Sequence, residues 1–267
     1  MKLLRILPLL TLSLLAPGQT PKSQDLGRLL VVLDPGHGGE DEGARGQRGL
    51  LEKDVTLDLA RDLARELTEA GMEARLTRDT DVHLPLWDRA RIANTEGADL
   101  FISIHLNAAP SRQARGSEVY FLSMGAVDRL TEQLAAVENA GGKAAGSEPD
   151  ADSVVAVILS DLSQKAFLQD SERLAVAIQA QLNHLGGIRQ RGVKQAPFVV
   201  LRGAAMPAVL VETAFISNPK EEARLKDPAF RRRVAQAIAR GVQRYLASGP
   251  GLPQLSGRLR PVPSGTP

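Results

Sequence analysis

A chain of 267 residues, 43% hydrophobic and 24% charged, has the composition of a globular protein with a substantial core. Its formal charge is +2, and Lys/Arg and Asp/Glu alternate instead of forming blocks, so there is no basic stripe and no nucleic-acid partner is expected. The absence of cysteine excludes thiolate metal ligands and a cysteine nucleophile.

The first eighteen residues (1–18) read as a signal peptide: Lys2 and Arg5 precede an apolar stretch over 6–16, with Ala16 and Gly18 near a cleavage point. That stretch is short for a bilayer span, and no later segment is long and apolar enough. An exported protein of the periplasm or cell envelope, with no transmembrane domain, is the expectation. Residues 19–27 are polar and read as a linker. From Leu29 strands and helices alternate. The first strand runs through LLVVLDPGHGG (29–39) to His37, and the glycine-rich stretch 38–49 reads as a loop. Leu59, Leu63, Leu67 and Ala70 then recur at helical spacing, and Gly71 stops that helix. Met72, Ala74 and Leu76 alternate as in a strand, a short helix follows at 85–96, and ADLFISIHLNA (98–108) is a strand ending on His105.

SEVYFL (117–122) is the next strand. Residues 123–165 interrupt the alternation with an amphipathic helix (Val127, Leu130, Leu134, Val137), a loop at 141–152 and an apolar segment at 154–162. Such a long insertion between core elements is more often functional than idle. Leu174, Ile178, Leu182 and Leu185 mark a helix, FVVL (198–201) reads as a short strand, and PAVLVETAF (207–215) is a strand carrying Glu212. Val234, Ile238, Val242 and Leu246 form the stripe of a last helix, and the Pro/Gly/Ser-rich tail 248–267 reads as disordered. The expected fold class is α/β, a single domain with a mostly parallel twisted sheet flanked by helices and carrying a helical insertion.

In such a sheet the ligand crevice lies at the carboxyl ends of the strands. His37, His105 and Glu212 sit at or near three such ends, and Glu52 lies where the glycine-rich loop meets the first helix. Two imidazoles, a carboxylate ligand and a second carboxylate acting as base are the inventory of a hydrolytic zinc site. Each residue has a plainer explanation. His37 suits a simple turn, although the Gly-Lys-Ser/Thr ending of a phosphate loop is missing. His105 suits a satisfied core histidine, yet the chain has four histidines and two of them end core strands. His83 and His184, in polar surroundings, read as surface residues. Glu52 suits a helix N-terminus, and Asp54 and Glu40 compete with it as ligands; spacing leaves that choice open. Glu212 follows Val209, Leu210 and Val211, so it is buried at a cost of several kcal/mol unless paired or metal-associated. An ion pair with Arg202 or Arg115 is the alternative.

These residues resemble the zinc-dependent N-acetylmuramoyl-L-alanine amidases of bacterial cell walls, the amidase 3 type. The resemblance covers roughly 29–247 and rests on VVLDPGHGG, Gly-Leu-Leu-Glu-Lys-Asp, LTRDTD (76–81), RARIAN (89–94), ADLFISIHLNA, ARGSEVYFL (114–122), RGVKQAPFVVLR (191–202) and MPAVLVETAFISNPKEE (206–222). It implies that residues 28–247 are a catalytic domain holding one zinc ion through His37, Glu52 and His105, with Glu212 as catalytic base. The substrate implied is peptidoglycan, cut at the amide joining muramic acid to L-alanine, in wall remodelling or daughter-cell separation. Arg115, Asn107 and Gln195 are candidate substrate contacts or, equally, structural hydrogen-bond donors. The stretch 123–165 resembles the regulatory segment of division-associated members, which places Glu138 as a blocking glutamate and implies a protein activator that displaces the helix; a solvated glutamate at a helix end is the equal alternative. The rivals are another zinc peptidase or carboxypeptidase and a non-catalytic wall-binding module. With 3% aromatic residues, the chain has little material for stacking on sugars, which favours gripping peptide.

Overall fold

Central strands that are buried on both faces read as unbroken apolar runs, and three runs of this chain fit that description: β1 (Leu30–Pro35), β3 (Leu100–Asn107) and β6 (Ala208–Phe215) are buried along their whole length. The computed structural model describes residues 29–123, 129–141 and 154–249. The expected signal peptide and linker, all but Gly141 of the expected 141–152 loop, Val127 and nearly all of the 248–267 tail lie outside the described residues.

The remaining elements are α1 (Glu52–Glu69), β2 (Glu73–Leu76), α2 (Leu86–Glu96), β4 (Ser117–Leu122), α3 (Arg129–Gly141), α4 (Val154–Leu182), β5 (Gln190–Ala196), α5 (Pro219–Leu225) and α6 (Pro228–Ala247). One six-stranded sheet has the order β2-β1-β3-β6-β4-β5. All neighbours are parallel except β4 and β6, which are antiparallel. The amino ends of β4 and β5 therefore lie at the same rim as the carboxyl ends of β1, β3 and β6.

Side-chain alternation divides the core into two layers. Val31, Leu33, Ile102, Ile104, Val209 and Val211 face α1, α4 and α6. Leu30, Val32, Phe101, Tyr120 and Leu210 face α2, the 198–206 segment and α3. Each buried Leu, Ile, Val or Phe contributes about 1.5–3 kcal/mol relative to exposure. Side chains cap the starts of α5 and α6: Asn218 accepts from the Lys220 and Glu221 amides, and Asp227 from that of Ala229, each with proline in the first turn. Among the described residues no helix is long and apolar enough to cross a membrane.

Three readings from sequence are corrected. FVVL (198–201) is not a strand; Val199–Leu201 form a 3-10 turn, and the strand is the more polar β5 just before it. Pro197 lacks the N–H a ladder needs, and the Val199 amide donates to Asn139 Oδ1 at 2.8 Å. The 154–162 segment and the helix of Leu174 and Ile178 are one 29-residue helix, α4, with Leu185 beyond its end. Val137 is not in the buried stripe of α3: it is 66% exposed, while Thr131, Ala135 and Glu138 point inward.

Candidate metal centre

The turn after β1 is held in an uncommon conformation. His37 has φ of 59°, a left-handed value that L side chains seldom adopt without external support. Two buried arginines supply that support. Arg89 donates to Asp34 Oδ1 (3.0 Å), Pro35 O (2.8 Å) and His37 O (2.9 Å), and Arg78 to Pro35 O (3.1 Å) and Gly36 O (2.8 Å). Asp34 also accepts from the Thr77 (2.6 Å) and Ser103 (2.8 Å) hydroxyls, so its buried carboxylate is satisfied. A Cβ on Gly36 would lie 2.5–2.7 Å from the His105 ring, so the turn passes the second histidine at a distance only glycine permits.

Glu52 opens α1. Its Oε1 accepts from the Leu106 amide and its Oε2 from that of Ala44, both at 2.8 Å. This carboxylate thus ties the loop before α1 to the end of β3 and is fixed in place. His37 Nδ1 lies 2.9 Å from Asp41 Oδ2, a partner that sets the ring's orientation and leaves Nε2 facing inward. Glu40 and Asp54, the competing carboxylates, are exposed and outside the cluster.

Four side chains converge: His37, Glu52, His105 and Glu138, with one ligand atom from each lying within 4.8 Å of all the others. His37 Nε2 is 3.2 Å from Glu52 Oε1 and 3.3 Å from Glu138 Oε2; His105 Nδ1 is 3.2 Å and 2.9 Å from the same two oxygens. Atoms about 2.1 Å from one tetrahedral ion stand roughly 3.4 Å apart. His37 Nε2, His105 Nδ1 and Glu138 Oε2 are buried without a properly directed hydrogen bond. Buried polar atoms left in that state need a missing partner. A divalent cation fits the gap.

The charges agree. Burial pushes the His37 pKa down, but Glu52, Asp41 and Glu138 outweigh it and hold the ring protonated well above the imidazole range. For His105 burial again opposes, Glu138 and Glu52 prevail, and the pKa rises to about 10. Glu52 is held below the carboxylate range because the two imidazoles overcome its burial. A raised histidine pKa contributes stability that is complete below 6.5 and lost as pH rises through about 10. The metal-free protein is therefore expected to melt at progressively lower temperature across that interval. Added divalent cation, which requires unprotonated rings, should reduce the fall. Scanning calorimetry checks this, and a metal-free melting temperature that climbs with pH there would contradict it.

Glu212 stands beside the cluster. It pairs in register with His105 on β3 and Glu118 on β4, is fully buried, and neither carboxylate oxygen has a hydrogen-bond partner among the described residues. The expected alternative, an ion pair with Arg202 or Arg115, is not formed there: Arg202 is half-buried elsewhere and Arg115 is exposed. Burial first, then the negative charge of Glu138, raises the Glu212 pKa well above the carboxylate range.

The other candidates separate. Asn107 is buried and donates to Glu118 Oε1 at 2.9 Å, a structural bond. Gln195 pairs with Phe121 and shares a sheet face with Val119 and Val193, opposite Glu212, so it does not face the centre. His184 is exposed, whereas His83 is half-buried. Sequence reasoning missed Asp41, Arg78, Arg89 and Glu118. The signals were a carboxylate four residues after His37, arginines inside LTRDTD and RARIAN, and a charge within the apolar strand SEVYFL.

Residues 31–244 match the family model described as N-acetylmuramoyl-L-alanine amidase. The chain is 42% identical over 221 residues to N-acetylmuramoyl-L-alanine amidase AmiA of Escherichia coli K12, covering 82% of this chain and 76% of that protein. Its fold is similar to the solved AmiC2 amidase of Nostoc punctiforme (TM-score 0.61, 33% identity, 82% of this chain and 97% of that one). It is also similar to an N-acetylmuramoyl-L-alanine amidase structure from Clostridium difficile 630 (TM-score 0.64, 28% identity, 84% and 100%).

Proposed function

The chain belongs to the N-acetylmuramoyl-L-alanine amidase family, and we propose from that membership that it uses one zinc ion to cut the amide between muramic acid and the L-alanine of the peptidoglycan stem peptide. The observation that carries the zinc assignment is the convergence of unpartnered His37 Nε2, His105 Nδ1 and Glu138 Oε2 on Glu52 Oε1. His37, Glu52 and His105 hold the ion. Bound there, zinc supplies a carbonyl-polarising Lewis acid and a water nucleophile at neutral pH. Glu212, buried and unpaired beside His105, takes the proton of the attacking water and returns it to the departing alanine nitrogen. Residues 1–18 direct export to the periplasm or cell envelope, where wall remodelling or daughter-cell separation is the setting.

Digestion of purified peptidoglycan followed by mass spectrometry tests the reaction. The expected products are intact stem peptides with a free amino-terminal alanine. Trimming of terminal residues would indicate a carboxypeptidase, and binding without release a wall-binding module.

Glu138 fills the position that substrate and water need, which makes α3 an autoinhibitory helix and a protein activator its natural release. Asn139 is the latch: its side chain donates to Pro197 O at 3.0 Å and accepts from the Val199 amide at 2.8 Å. Each bond contributes about 1 kcal/mol, so Asn139→Ala should raise the open fraction, and with it basal activity, on the order of tenfold. Glu138→Ala should also raise activity while retaining the ion on the other three ligands. Release of dye from labelled peptidoglycan reports both. Unchanged or lower rates in folded, zinc-loaded variants would contradict the inhibitory role.

A further inference from the structure

Glu118 is buried, with two cations and two neutral donors on one carboxylate. Oε1 receives Arg191 Nε at 2.7 Å and Asn107 Nδ2 at 2.9 Å; Oε2 receives Lys194 Nζ at 2.7 Å and the Tyr120 hydroxyl at 3.0 Å. One cation would neutralise the carboxylate. The second is one more than that carboxylate needs, and neither cation pairs with Glu212, its neighbour in register.

Arg191 reaches this position through a break in the ladder. Ser117 pairs with Gln190 but Glu118 pairs with Gly192, so Arg191 is the extra residue of a bulge in the parallel β4·β5 pair, with Gly192 at φ 88°. Bulges of this kind re-aim a side chain, and they concentrate at sheet edges and beside active sites. β5 is such an edge. The guanidinium lies 5.0 Å over the Phe215 ring, which fixes its plane. Only Nε is used by Glu118; the two terminal nitrogens donate to nothing among the described residues, and the side chain remains 22% exposed. A pinned guanidinium with a free edge is a carboxylate receptor.

We propose that Arg191 is a specificity-determining residue whose free guanidinium edge receives a carboxylate of the acidic peptide released by cleavage, so that the enzyme prefers a stem peptide with a free carboxyl group over one whose carboxyl is amidated. This rests on the amidase assignment and names the part of the substrate that the rim selects.

The test is calorimetric titration of the full chain, and of the full chain carrying Glu138→Ala, with two product-like probes: L-alanyl-D-glutamate and its amidated counterpart L-alanyl-D-isoglutamine. The acid is expected to bind about tenfold more tightly. Arg191→Gln should erase that preference by weakening the acid alone, and Arg191→Lys, which keeps the charge beside Glu118 but not the fork, should recover part of it. Equal binding of both probes, no binding of either to the Glu138→Ala protein, or an Arg191→Gln loss that strikes both alike would overturn the proposal. Should Arg191→Gln fail to fold, full preference retained by Arg191→Lys overturns it and a reduced preference supports it. Release of peptide from peptidoglycan, measured separately, tests the amidase assignment. Selective acid binding without such release contradicts that assignment alone; hydrolysis without discrimination contradicts only the role of Arg191.

Discussion

Glu212→Gln is expected to retain the metal and lose turnover, with kcat down by roughly 10²–10⁴, the range a positioned general base supplies. The substitution preserves size and removes only the capacity to take a proton. The neighbouring carboxylate Glu118 is no replacement among the described residues, because it is fully engaged by Arg191, Lys194, Asn107 and Tyr120. The stability effect should run the other way. A carboxylate with a raised folded pKa contributes stability below its ordinary value of 4.5 and loses it as pH rises through the folded value. At neutral pH an unfolded Glu212 is ionised while burial opposes that charge in the fold, a burden that glutamine removes, so the metal-free variant should melt no lower than the parent. Such an exchange of stability for function is characteristic of active sites. Metal analysis, steady-state rates on peptidoglycan and a thermal melt together decide the matter. A metal-loaded Glu212→Gln protein that still hydrolyses would remove the assignment of base.

The second large effect is expected at the imidazoles. His37→Ala or His105→Ala should abolish both metal retention and turnover, since either change leaves only one imidazole with Glu52 and Glu138 in the cluster. The magnitude should exceed the 10–100-fold loss of metal affinity that removal of an outer partner of a ligand typically costs. Asp41→Ala provides that comparison within the same protein: His37 Nε2 survives, only its 2.9 Å orienting contact is lost, and affinity should fall by roughly 10–100-fold. Equilibrium dialysis against zinc with a competing chelator measures all three. Equal affinities for Asp41→Ala and His37→Ala would mean that His37 is not a ligand.

What the sequence made legible follows from burial. His37, His105 and Glu212 stand out because each is a polar group at the end of an apolar strand, a place where burial demands a partner, and the sheet does bring those ends together. Glu52 could not be told from Glu40 or Asp54 by spacing, because the loop before α1 turns back on itself: the Ala44 and Leu106 amides, distant in sequence, jointly hold its carboxylate. The inward face of α3 was misread for a related reason. Hydrophobic spacing favoured Val137, yet the helix buries Glu138, where two imidazoles receive the charge, and leaves Val137 to solvent. FVVL is not a strand because Pro197 ends the ladder and the Asn139 side chain takes the Val199 amide. Asp41, Arg78, Arg89 and Glu118 act by orienting other groups, through contacts that neither periodicity nor composition encodes.

Anomalous diffraction at the zinc absorption edge, from crystals of the zinc-loaded full chain, tests the metal centre most directly. The result expected is one strong peak enclosed by His37 Nε2, Glu52 Oε1, His105 Nδ1 and Glu138 Oε2, with the Glu212 carboxylate alongside but not bound to it. A peak at any other place, or none between those four atoms in protein shown to carry zinc, would contradict the assignment of the centre and the chemistry built on it.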